Sequence, residues 1–143
     1  MVFNLLFPLW MVLSLPLTFG VNNDLEIQRI KGLDPLFAIR VQIWMLLCKV
    51  LLGLTVVIVD GVRSALEQAH LHAQDSRNPL KPGDHGDGHA VDVNIYRSGV
   101  LVLRKASPAA SWAPVYELAK LCGLSNGSTF KGYPDNNHFF KRS

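Results

Sequence analysis

Hydrophobic and polar positions divide this chain into segments of different period. Residues 1–23 carry no charged side chain and are mostly Leu, Phe, Val, Trp and Met. Their length suits a membrane span or an export signal, with Thr18 and Gly20 at the −3 and −1 positions of a cleavage after Gly20. A basic start is missing, Pro8 and Pro16 interrupt a helix, and Arg29 and Lys31 follow the segment, which by the positive-inside rule opposes export. An apolar element packed on the domain is the other reading. Residues 22–32 are polar and predict a linker. Asp34-Pro35 then supplies an N-cap with proline at the first helical position. A helix is expected from there to about Leu51, stopped by Gly53, with Leu36, Ile39, Ile43, Leu46, Leu47 and Val50 as its inner face. Arg40, Gln42 and Lys49 interrupt it too often for a membrane span, so it predicts a core helix.

Leu54 to Asp60 is rich in β-branched residues and predicts a buried strand. After a turn at 61–63, Ser64-Ala65-Leu66-Glu67 reads as a capping box that starts a second helix, to about Gln74. Asp75 to Gly88 is a long polar loop bearing glycines, of the kind that usually carries function. From Ala90 the pattern alternates, with Val91, Val93 and Ile95 on one side and Ala90, Asp92, Asn94 and Tyr96 on the other. Arg97-Ser98-Gly99 predicts a hairpin turn into Val100–Arg104. Ser111 is the expected cap of a third helix, with Pro114 in its first turn and an end at Cys122-Gly123. Residues 124–129 read as loop and 130–140 as a last strand. The order predicts an α+β fold, a small antiparallel sheet with about three packed helices, over residues 24–143.

Composition narrows this only a little. At 143 residues the chain holds one core, and its net charge of +3 with pI near 9.0 is spread out after residue 23. No block of like charge suggests a nucleic-acid arm, whereas attraction to a cell wall or lipid headgroups is compatible with it. Cys48 and Cys122 sit among apolar neighbours and are expected as buried free thiols; pairing would need an oxidising compartment and favourable geometry.

Candidate chemistry centres on Lys81 to Ile95. His85 follows Gly83 and precedes Gly86 and Gly88, so the loop can fold back towards Asp92, whose carboxylate lies off the aliphatic face of its strand. An imidazole and a carboxylate converging this way suit zinc. His138 is the candidate third ligand, with Asp135 three positions upstream, placed to take a proton from a water at the open position and pass it to a leaving amine. Three protein ligands plus water is the catalytic form of a zinc site. With five histidines and eleven acids, spacing alone leaves other triplets open. His70 and His72 read as solvated helix residues and His89 as turned to the apolar side. Asp84 and Asp87 read as turn residues, with Asp87 a lesser alternative ligand, and Asp60 as a partner for Arg63 or a strand-end cap.

H-G-D-G-H-A-V-D resembles the H-x-x-G-x-A-x-D signature of the zinc D-Ala-D-Ala peptidases and the related phage L-alanyl-D-glutamate endopeptidases, a group that includes hedgehog signalling domains. His85, Gly88, Ala90 and Asp92 fall on motif positions. D-N-N-H-F is similar to the group's [DE]-x-x-H-F, which implies Asp135 as catalytic acid/base and His138 as third ligand. V-D-G-V-R-S-A-L-E-Q resembles its strand–Gly-x-Arg–helix segment, which implies that Arg63 faces the substrate, on a carboxylate or the developing oxyanion. The likeness spans roughly Lys31 to Phe139. Departures are Gly83 where the group usually has Ser, Asn137 where it often has Pro, and Phe130 where Trp is common.

The resemblance implies a zinc site in a cleft on the sheet and a monomeric peptidase with no nucleic-acid role. Its substrate would be the peptide stem of bacterial peptidoglycan. A phage-endolysin type L-alanyl-D-glutamate endopeptidase is the leading expectation. A D-Ala-D-Ala carboxypeptidase or dipeptidase, or a zinc-stabilised binding domain without turnover, are the alternatives. Such a protein would be exported or membrane-anchored facing the wall, or released at phage lysis.

Overall fold

The dipeptide Asp34-Pro35 opens the longest helix, as its capping chemistry predicts. In the computed structural model, which describes residues 24–63, 65–79 and 83–142, the Asp34 carboxylate accepts the Phe37 N–H at 3.1 Å and the helix runs Pro35–Leu52. Gly53, at φ 66°, ends it and donates its N–H to the Lys49 carbonyl at 3.1 Å. A side chain with a Cβ would strain that left-handed position. We number this helix α2, because the expected linker before it is itself helical. α1 spans Asp24–Lys31, with Asp24 and Glu26 in its first turn and Arg29 and Lys31 in its last, matching the helix dipole at both ends. Its polar sequence hides a tertiary role. Glu26 is buried and accepts the Ile58 N–H at 2.8 Å, while Arg29 donates to the Ile58 carbonyl at 2.9 Å.

Ile58 lies on β1, Thr55–Asp60, which pairs antiparallel with β2, Ala90–Arg97. Among the described residues β1 has no other strand neighbour. The two side chains of α1 therefore close the open edge of the sheet, where unpaired backbone groups would otherwise invite another strand. β2 pairs further with β3, Val100–Leu103, and with β5, Asp135–Lys141; β5 pairs with β4, Leu124–Gly127. All pairings are antiparallel, in the order β1-β2-β5-β4 with β3 beside β2. The β2–β3 turn has positive φ at both Ser98 and Gly99, the mirror-image turn whose twist suits a two-residue hairpin.

The remaining helices are α3, Ala65–Gln74, and α4, Ala113–Leu121, so the described residues hold one helix more than the sequence predicts. The fold is α+β with a small antiparallel sheet. Residues 1–23 and the Ser64 cap of α3 lie outside the described residues. Ser111 does not cap α4. It lies within a 3-10 turn, Ala109–Trp112, that feeds directly into the helix, with the Ala113 N–H donating to the Ala110 carbonyl. β4 stands where a loop is expected. Leu-Ser-Asn-Gly has little strand propensity, and its extended form is imposed by the ladder to β5. The last strand starts at Asp135 rather than Phe130, because Gly132 at φ 81° and Pro134 keep residues 131–133 in bends.

One expectation about α2 is reversed. Phe37, Val41, Trp44, Met45 and Cys48 face the core, and the predicted inner residues Leu36 and Val50 are exposed. α2 is apolar almost all round, so periodicity does not select its buried side. The choice falls to Trp44, whose ring packs tilted against Phe139 with centroids 4.3 Å apart and whose Nε1–H donates to the Val115 carbonyl at 3.2 Å. Val56, Ile58, Val91, Val93, Ile95 and Phe139 supply the sheet side of this core. Cys48 and Cys122 are free thiols, and burial pushes Cys48 up to about 12. The face of β2 opposite this core carries Asp92.

Candidate metal centre

Strand register brings the first two candidate ligands together. Asp92 on β2 lies directly across from His138 on β5, and side chains directly opposite in an antiparallel pair stand within contact distance. His138 Nδ1 is 2.9 Å from Asp92 Oδ1. The third arrives from the loop before β2. Gly83–His85 forms one 3-10 turn, fixed to the segment after β1 by the Arg63 N–H donating to the His85 carbonyl at 3.1 Å. His85 donates its Nδ1–H to the Gly61 carbonyl at 2.8 Å, which turns Nε2 towards the other two groups. That nitrogen is 3.2 Å from His138 Nδ1 and 3.5 Å from Asp92 Oδ1.

Gly88 makes this return possible. Its φ is 75°, its carbonyl accepts the Asp34 N–H at 3.0 Å, and a Cβ there would stand 2.8 Å from the Asp34 nitrogen. The glycine-rich loop thus seats on the N-terminus of α2 with no room for a side chain.

The donor set fits zinc. Bonds of about 2.0–2.1 Å in a tetrahedral arrangement separate neighbouring donors by about 3.3–3.4 Å, and separations of 2.9, 3.2 and 3.5 Å bracket that value. Among the described residues these three form the group of metal-ligating side chains whose donor atoms lie within 4.8 Å of one another. Burial disfavours the charged Asp92 carboxylate, but hydrogen bonds from His138 and His85 outweigh it and hold the group well below the usual carboxylate range. For His85, burial likewise opposes the cation, and Asp92 overcomes it, so the imidazole is raised above its ordinary value.

Around the three candidate ligands lies a cleft of about 750 Å³, whose walls include Arg63, Lys105, Tyr133 and Asp135. Arg63 is largely committed within the protein. Its Nε donates to Asp60 at 3.1 Å, Nη1 to Gln68 Oε1 at 2.7 Å, and Nη2 contacts both Asp60 and, at 3.3 Å, Asp92 Oδ2. It therefore fastens the Asp92 oxygen that does not face the histidines. Asp135 Oδ1 is buried and accepts no hydrogen bond, with Lys105 Nζ as a cation at 3.5 Å. Burial would lower Lys105, yet the charge of Asp135 and the contact with Tyr133 raise it. The Asp135–His138 segment is held from behind by Tyr116, which donates its hydroxyl to the Asn136 carbonyl at 2.7 Å, and by Asn136, which donates to the Ser107 carbonyl at 3.0 Å.

The structure thus gathers His85, Asp92, His138, Asp135 and Arg63 in one cleft. The other histidines stay outside it. His72 donates to the Asn78 carbonyl, His70 contacts Gln74 on the helix surface, and His89 stands edge-on to Phe37 near Asp34. Asp84 and Asp87 are exposed turn residues. Sequence reasoning missed Gln68, which is buried and donates to the Pro79 carbonyl at 2.6 Å while holding Arg63. It also missed Lys105 and the Gly61 carbonyl. A helical glutamine and a lysine after a strand carry no local signal of these roles.

No protein-family profile matches this chain, and no curated protein matches it. Among solved structures it is similar to the L-Ala D-Glu endopeptidase ChiX of Serratia marcescens. That match has a TM-score of 0.63 at 20% sequence identity and covers 81% of this chain and 85% of the other. At that identity the likeness is one of fold.

Proposed function

We propose that this chain is a zinc-dependent peptidase that hydrolyses an amide in the peptide stem of bacterial peptidoglycan, with L-alanyl-D-glutamate endopeptidase of phage-endolysin type as its specificity. One observation carries the proposal. Two imidazole nitrogens and a carboxylate oxygen converge within 3.5 Å of one another beside a second carboxylate, Asp135, in an open cleft. The fold shared with ChiX, itself described as an L-Ala D-Glu endopeptidase, supports the substrate class.

Zinc held by His85, Asp92 and His138 would polarise the scissile carbonyl and acidify a water beside it. The chain's own groups do the rest. Asp135, whose Oδ1 has no protein donor, takes the proton of the attacking water and returns it to the leaving amine. Arg63 holds Asp92 in its ligating orientation and offers positive charge to the oxyanion from the cleft wall. Gly61 fixes the tautomer of His85. Asp135, rather than the three ligands, separates an enzyme from a zinc-stabilised binding domain. The protein would work on the wall after export, from a membrane anchor, or on release at lysis.

A second reading, D-Ala-D-Ala carboxypeptidase or dipeptidase, is favoured by Lys105, a cation at the cleft 3.5 Å from Asp135 that a terminal carboxylate would meet. Mass analysis of muropeptides after digestion separates the two. New N-terminal glutamate identifies the endopeptidase; released D-Ala or its dipeptide identifies the second reading. Wall binding with no product from zinc-loaded protein would leave only a binding domain.

A further inference from the structure

The outward side of α2 is the largest feature that the cleft chemistry leaves unexplained. A helix on the surface of a soluble domain turns charged residues to water. α2 instead presents Leu36, Ile39, Ile43, Leu47, Val50 and Leu51 on the side away from the sheet, with Leu36, Val50 and Leu51 exposed at 55%, 64% and 62%. At 1.5 Å per residue the stripe is about 22 Å long. The two ends of the stripe are exposed and Ile39, Ile43 and Leu47 between them are half-buried, an apolar surface with no polar cover of its own that marks a contact site.

We infer that the outward stripe of α2 docks onto a lipid bilayer and seats the domain with its cleft turned away from the lipid. Three observations favour lipid over other occupants. First, residues 1–23, apolar and uncharged, directly precede α1 in the sequence, and α1 directly precedes α2. A segment of that composition and length is at home in hydrocarbon, and its insertion would hold α2 against the surface. Second, the helix carries no acid, and its two charged residues, Arg40 and Lys49, are both cations. Together with a net charge of +3, all of it beyond residue 23, this complements anionic headgroups. Third, the sheet fixes the orientation. Val91, Val93 and Ile95 point into the core beneath α2, and Asp92 points the other way into the cleft. The apolar stripe and the metal centre therefore lie on opposite sides of the molecule. A docked domain presents its cleft to whatever lies beyond the membrane surface. The inference does not depend on the peptidase reading.

The test uses the whole chain with Cys122→Ser, carrying a single added cysteine labelled with an environment-sensitive nitrobenzoxadiazole dye. Cys48 is buried and shielded from the reagent. Val50→Cys and Leu36→Cys place the dye at the two ends of the stripe, both at exposed positions, and Lys131→Cys places it on the exposed cleft side. With phosphatidylglycerol–phosphatidylethanolamine vesicles, the dye at 36 and 50 should shift to the blue and brighten several-fold. At 131 it should not change, and no variant should be blue-shifted in buffer. Vesicle binding without a shift at 36 and 50 would overturn the inference, since residues 1–23 alone would then make the contact, and so would no binding at all. A blue shift in buffer at every concentration would overturn it in favour of the chain's own N-terminal segment as the cover. A shift that grows with protein concentration would overturn it in favour of a second copy.

Discussion

Asp92 and Asp135 share one cleft but face different surroundings, which suit them to the different roles proposed for them. Asp92 is gripped by two imidazoles and by Arg63, whereas Asp135 Oδ1 is buried without a donor. Asp135→Asn keeps shape and all three ligands, so zinc content should be unchanged while hydrolysis of stem peptides falls by about 10²–10⁴-fold, the usual worth of a positioned acid/base. Elemental analysis beside a turnover assay checks both halves; a variant as active as the parent would remove Asp135 from the mechanism. Both carboxylates were legible in the sequence for separate reasons. Alternation from Ala90 put Asp92 off the aliphatic face, and its interval from His85 matched a motif. Asp135 was legible only through its interval to His138. The groups that steady them were not: Gln68 and Lys105 reach the site through loop placement, which leaves no local pattern.

At the scale of elements, two contacts hold the site's scaffold, and each makes a prediction. The loop carrying His85 is seated on α2 by Gly88. Gly88→Ala must strain a left-handed residue, at about 1–2 kcal/mol, and press a methyl group against the Asp34 nitrogen, 2.8 Å from the ideal Cβ. The expected result is a stability loss of about 2 kcal/mol or more together with weaker zinc binding. Gly132→Ala has the same sign of φ and nothing within 4 Å, so it should cost less and leave zinc affinity alone. Equal effects from the two in chemical denaturation and zinc titration would show that close approach at Gly88 is unimportant. At the other end of the sheet, Glu26→Leu leaves the buried Ile58 N–H without its acceptor, at about 1–3 kcal/mol, while Glu26→Gln keeps an acceptor oxygen and should lose less. That contact also explains why α1 read as a linker. Its one structural acid looks like any solvated glutamate until β1 is folded beside it. The buried face of α2 escaped for the opposite reason, since apolar residues on every side leave the period uninformative and only Trp44 and its partners decide.

For the molecule as a whole, a zinc ion held as proposed would compete with the proton at His85, and the direction of each shift sets the outcome. In metal-free protein His85 is raised by Asp92 against the cost of burial. Its protonation therefore stabilises the fold fully below the unfolded histidine value of about 6.5 and ceases to do so as pH rises through the higher folded value. Asp92 is depressed, so its contribution is present above about 3.9 and is lost as pH falls through its lower folded value. Chelated protein should thus be most stable between about pH 4 and 6.5. Zinc held as proposed needs the His85 imidazole neutral, so its stabilisation would grow in the range where protonated His85 loses its own. At free zinc 100-fold above the dissociation constant the gain is about 2.7 kcal/mol, which for a domain of this size raises the midpoint of thermal unfolding by roughly 5–10 °C. Calorimetry with zinc and with a chelator at pH 5.5 and pH 8.0 measures the gap directly. It should be wide at pH 8.0 and nearly closed at pH 5.5. A gap that narrows with rising pH, or none at either value, would mean that His85, Asp92 and His138 pair through protons alone and hold no ion, and the hydrolytic chemistry assigned to the cleft would fall with it.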